Sequence, residues 1–196
     1  MENNLNITAD TFGKLFVLAK KNKVNLLSFS KSLMKYNINF LKFGSSVESI
    51  SKLFENITGV LPIYNDAYGI YDDAYWCAFA YSKLAEITKK PMSYIICKMP
   101  VDLLIDMYDV YHEADISLLV DRFYEISNNV SILRSLCLMN EISLPKLSKM
   151  TGINKNTLVR YNASDEALYK ASFDKIYSIS NFFAVDYSLF IKKLSA

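Results

Sequence analysis

The residues able to do chemistry are few, and each sets its own demand on the fold. His112, the single histidine, stands in Tyr111-His112-Glu113, the one place where an imidazole could act as a base. A structural histidine fits that setting better, because nothing at a recognisable spacing would activate a Ser, Thr or Cys nucleophile. Cys77, Cys97 and Cys137 are an odd number, twenty and forty residues apart, with no Cys-x-x-Cys pair. Reduced core thiols suit them better than a disulfide framework or a zinc site. The chain has no Gly-rich phosphate loop, no nucleophile elbow and no HExxH. Neither an enzyme nor a cofactor is expected.

Asp102, Asp106, Asp109 and Glu113 step by four, three and four residues, so a helix would align them along one face. Such a row is either a solvated face or a docking strip for a basic partner, and a partner would relieve the repulsion that like charges suffer at this spacing. Upstream, Tyr64, Tyr68, Tyr71, Tyr75, Trp76 and Tyr81 recur at close intervals. Rings so spaced stack single-stranded nucleic acid only in a basic groove. Their neighbours are acidic, so core or protein-interface positions are expected.

These residues must be positioned by a chain of 196 residues, 52% of them hydrophobic, enough for one or two domains with a core. Five Gly and four Pro leave few places to break a helix, which predicts a mostly α-helical protein. The longest uncharged runs, 74–82 and 176–185, are about half of the roughly 20 residues that cross a bilayer. The N-terminus shows no basic region followed by an apolar stretch. A cytoplasmic protein without a membrane role is expected. Charge is unevenly placed: residues 1–60, 61–130 and 131–196 carry +4, −6 and +4 within a net +2, which suggests different partners for different parts.

Apolar residues at three- and four-residue steps predict helices over 8–22, 25–36 and 45–56, with Gly44 and Gly59 as stops. The middle predicts helices over 72–88, from Pro100 to Tyr111, and over 116–127. Met92 to Met99 reads as a brief helix or a strand. Asn128-Asn129 permits either a hinge or a continuous helix.

The last third carries the densest pattern. Ser143 is a small polar N-cap, followed by Leu147-Ser148, Gly152, Ile153, Asn154 and Thr157-Leu158. Gly152 predicts a left-handed end to the helix that starts near Leu144, Ile153 packs the turn, and Asn154 caps the next helix. Leu147, Met150, Leu158 and Tyr161 are expected to face inward. A fourth apolar stripe runs through Leu168, Ala171, Ile176, Ile179 and Phe183, and a fifth helix is expected over 187–194.

From Ser131 onward this order of residues resembles the lambda-repressor and Cro-type (XRE-like) helix-turn-helix domain. The resemblance implies a third helix lying in the DNA major groove and a second crossing the backbone. It places Lys155, Asn156 and Arg160 at base-facing positions and Lys146, Asn154 and Thr157 at phosphate-facing ones. The sequence departs from the family at Leu144-Pro145, where Gln is frequent, and at Asn162, where an acidic residue is usual. Over residues 72–125, Ala74-Tyr75-Trp76, Tyr81, Thr88, Tyr94, Met107-Tyr108 and Tyr111-His112 are similar to a region of bacterial antitoxin-like proteins, some encoded beside ADP-ribosyltransferase-like toxins. Cys77 stands where Gly often follows the Trp.

Together these readings predict an all-α chain with an N-terminal helical partner-binding domain, 1–128, and a C-terminal five-helix lambda-repressor-like helix-turn-helix domain, 129–196. The expected function is a sequence-specific DNA-binding transcriptional regulator, and an antitoxin that represses its own operon would unite the two parts. Its partners would be a double-stranded operator, a toxin-like protein on the strip Asp102, Asp106, Asp109 and Glu113, and a second copy, since one recognition helix reads only a few base pairs. The alternative is a protein-interaction module that neutralises a toxin or enzyme without touching DNA.

Overall fold

Thr8 begins the first helix: its hydroxyl accepts from the Thr11 amide at 3.1 Å, Asp10 lies in the first turn, and Lys20 and Lys21 close the last. All three features favour the helix dipole. This helix, α1 (Ala9–Lys21), buries Phe12, Leu15, Phe16, Val17, Leu18 and Ala19, apolar on nearly all sides as a central helix must be. The computed structural model describes residues 4–42, 49–62, 73–111 (without the side chains of 109–111) and 116–191, and among these finds twelve α-helices, two short strands and one 3-10 turn. The chain is mostly helical, as its composition predicts.

Around α1 pack α2 (Leu26–Leu33, capped by Asn25), α3 (Ile50–Thr58, capped by Ser49 and ended by Gly59 at φ +71) and α4 (Asp73–Thr88). The α1–α4 contact is the most extensive among the described elements. A Cβ on Gly13 would stand 2.5 Å from the Tyr75 ring, so only glycine admits this approach. Lys20, in the last turn of α1, reaches Asp73 at the start of α4. Tyr81 is fully buried and its hydroxyl donates to the Met99 carbonyl at 2.9 Å, while Trp76 meets Tyr108 edge-on at 5.6 Å. Tyr81 is thus a core residue, whereas Tyr75 and Trp76 are half-buried; Tyr64, Tyr68 and Tyr71 lie outside the described residues.

The segment 92–99 resolves as helix, α5 (Met92–Lys98), followed by α6 (Val101–Tyr111) and α7 (Ile116–Asn129). A helix end at Asn129, a bend at Val130 and a new helix capped by Ser131 show that the helix is not continuous past Asn128-Asn129. The three cysteines are free and buried.

The helical expectation fails at β1 (Asn4–Ile7) and β2 (Asn37–Phe40), which pair in parallel with Asn4 opposite Asn37 and Ile7 opposite Phe40. Leu5, Ile7 and Ile38 enter the core; on the other face Asn37 donates to Asn4 at 2.9 Å and Asn39 to Asn6 at 3.2 Å. The turn into β2 is why α2 stops at Leu33, short of the expected Tyr36.

The C-terminal part consists of α8 (Ile132–Met139), α9 (Leu144–Thr151), α10 (Lys155–Ala163), α11 (Asp165–Tyr169), α12 (Phe173–Phe183) and the 3-10 turn Tyr187–Phe190. Two expectations need correction here. The fourth stripe is split by a break at Lys170 to Ser172 into α11 and α12, and the described part of the expected fifth helix is the 3-10 turn, in which the Asp186 side chain accepts from Ser188 at 2.8 Å. Buried residues from Leu5 to Phe190 form one contiguous core.

Candidate nucleic-acid interface

Short capped helices form the site. Ser143 starts α9 by accepting from the Lys146 amide at 3.4 Å, and Pro145 sits in the first turn, where its missing N–H costs no helix bond. The helix closes at Gly152, whose φ of +73 only glycine adopts freely and whose amide donates to the Ser148 carbonyl at 3.0 Å. Ile153 is buried beneath the turn, and the Ser148 hydroxyl donates to its carbonyl at 2.6 Å. Asn154 then caps α10, accepting from the Asn156 amide at 2.8 Å. Two helices joined by a three-residue turn, Gly152-Ile153-Asn154, are the result.

Leu147, Leu158 and Tyr161 face inward as expected, but Met150 does not: it is 62% exposed. At three residues from Leu147 it stands about 60° around the helix from it, so the edge of the buried face falls between the two. On α10, Lys155, Asn156, Val159, Arg160 and Ala163 are exposed, a stripe at i, i+1, i+4, i+5 and i+8 that is the outward face of the helix. Asn154 and Lys146 are also exposed, and Thr157 is half-buried. The structure therefore puts five of the six expected DNA-facing residues on exposed positions of two adjacent helices and the turn between them. It adds Val159, an exposed apolar residue in the middle of the stripe, which a reading based on polar side chains passes over.

Charge reinforces the geometry. Residues 144–163 contain Lys146, Lys149, Lys155 and Arg160 and no acidic residue. The next acid, Asp165, is turned to structural work. Its Oδ2 accepts from Lys98 Nζ at 2.8 Å and its Oδ1 from the Ile132 amide at 2.5 Å. The Lys98 side chain is wholly buried; its ammonium also donates to the Val130 carbonyl and lies 5.5 Å from the centre of the Tyr94 ring. Ser131 adds a bond from its hydroxyl to the Asn162 carbonyl at 2.7 Å, and the Cys97 thiol meets the Ile132 carbonyl at 3.7 Å. The end of α10 is thus anchored to α8, and through Lys98 to α5. Sequence reasoning missed this junction. Its one visible signal was a lysine directly after the apolar run Ile95-Ile96-Cys97.

Elsewhere, Asp102 and Asp106 are exposed on α6, whereas the side chain of Asp109, and His112 and Glu113, lie outside the described residues. Burial pushes the Cys97 thiol up to about 12 and that of Cys137 to about 11, so neither is an activated nucleophile. Compared with known proteins, the chain matches no family model, no curated protein and no solved structure.

Proposed function

We propose that the chain is a sequence-specific DNA-binding regulator that reads the major groove with the outward face of α10. The observation that carries this reading is the acid-free pair α9 and α10, with a glycine-closed turn and four cations on its surface. Lys155 and Arg160 have the donors for guanine O6 and N7, and Asn156 the paired donor and acceptor for adenine. Val159 offers a methyl surface to thymine, whose C5-methyl is the apolar feature of that groove. Lys146, Asn154 and Thr157 are phosphate contacts that fix register.

A second copy supplies the other half-site, because one short helix covers too few base pairs for useful specificity. Exposed Asp102 and Asp106 on α6 favour a basic, toxin-like protein as partner of the N-terminal part, which makes an autorepressing antitoxin of the bacterial or phage cytoplasm the most economical combination. Selection from a pool of randomised duplexes tests the reading. A recovered site with two inverted halves about 10 base pairs apart supports it; a pool without enrichment removes it.

A further inference from the structure

Among the described residues, strand β2 is paired along one edge only. Its strand partner there is β1, and a groove of about 760 Å3 runs along Asn37–Lys42, bounded by the second half of α4 and, where β1 gives way to α1, by Thr8–Asp10. An open strand edge presents unpaired N–H and C=O groups, which another extended chain can complete. Two side chains make the groove apolar where such a chain would lie: Leu41 is 40% exposed and Phe79 45%.

The rim is basic. Lys42, Lys83, Lys89 and Lys90 line it against two carboxylates, and both of those are engaged: Asp10 with Lys14 at 2.7 Å and Glu86 with Lys83 at 2.9 Å. Three lysines, Lys83, Lys89 and Lys42, hold the Glu86 carboxyl below its ordinary range. Lysine on an edge strand is one device that keeps copies of a protein from pairing. Glu86 answers Lys83, which leaves Lys42, Lys89 and Lys90 around the groove without a carboxylate in that lining to balance them, and this surplus charge favours an acidic occupant.

We propose that this groove binds an extended segment of a partner protein with alternating acidic and apolar residues, added to β2 as a third strand. Backbone bonds to β2 supply affinity, the apolar side chains meet Leu41 and Phe79, and the acidic ones meet Lys42 and Lys89. The site is separate from the α10 face and does not depend on the DNA reading.

The test uses the full chain and a labelled octapeptide of alternating Glu and Val, followed by fluorescence anisotropy. Saturable binding is expected, with slowed amide exchange at Asn37–Phe40. The Lys42→Glu, Lys89→Glu double variant, at exposed positions and checked by circular dichroism, should weaken it by roughly tenfold or more. A peptide of equal charge with proline at alternate positions should not bind, because it lacks the amides a strand needs. Equal binding of the proline peptide, no loss in the double variant, or displacement of the peptide by duplex DNA would each overturn the proposal, the last by making the groove a nucleic-acid site.

Discussion

Helices α1 and α10 are held in the molecule in different ways. α1 buries eight of its thirteen residues, α10 two of nine. The first holds its place by area removed from water; the second has little such area and depends on caps and on its neighbours. A helix that keeps most of its surface in solvent is free to spend that surface on recognition. The N-terminal helices are built as a body, and α9 with α10 as a face carried by that body.

The largest expected effect concerns the junction between the two regions. Asp165→Ala leaves the Lys98 ammonium buried without its carboxylate, and should cost about 3–5 kcal/mol in urea unfolding. Joint replacement, Lys98→Met with Asp165→Leu, should restore much of the loss, since neither charge then remains inside. If Asp165→Ala leaves stability unchanged, the junction does not join the two regions as argued.

Next come effects on DNA. Arg160→Ala and Lys155→Ala should each cost about 1–3 kcal/mol on a selected site and relax base preference. Lys146→Ala should weaken binding to all sequences alike and lower the salt slope by about one. Equivalent behaviour of the three variants would erase the distinction between base-facing and phosphate-facing positions.

Two glycines sharpen the contrast further. Gly13→Ala, in the body, must displace the Tyr75 ring and should cost about 1–3 kcal/mol. Gly152→Ala, in the face, meets open space and is opposed only by its positive φ, so about 1 kcal/mol is expected. Thermal unfolding of both variants measures the difference between a packing and a conformational requirement.

The smallest effect at neutral pH is titration of the buried thiol. Burial raises the Cys97 thiol to about 12 in the folded chain, against about 8.5 when unfolded. Below the unfolded value both states keep the proton and stability is unaffected. Above it the unfolded state loses its proton first, so stability falls as pH rises from about 9 toward 12. Tyr169, also raised to about 12 by burial, acts in the same direction. Alkylation of the native protein at pH 8 should therefore leave Cys97 intact, and rapid labelling would contradict its burial.

The sequence was most legible where structure is decided within a few residues. Ser143, Gly152 and Asn154 each fix a helix end through their own side chain or backbone, and the boundaries of α9 and α10 follow from them. It was least legible where structure depends on distant partners. Asn-Leu-Asn-Ile and Asn-Ile-Asn-Phe are short and asparagine-rich, and become strands only because the crossover through α1 and α2 brings them side by side. Nothing local in Lys98 announces Asp165, 67 residues away. Spacing puts Met150 on the side of Leu147, yet how far the buried face of α9 extends depends on the helices packed against it, and it stops short of Met150. The polar members of the candidate interface were readable one by one, whereas Val159 became visible only once the exposed stripe of α10 was drawn.

The most direct test of the α10 face is fluorescence anisotropy of the full chain and its Arg160→Ala variant on the DNA upstream of its own gene, against random duplex, across a salt series. The account predicts preference for the upstream fragment, a steep fall of affinity with salt, and loss of that preference in the variant. A folded sample that fails to bind either duplex at low salt, or a variant that binds both as the wild type does, would contradict it.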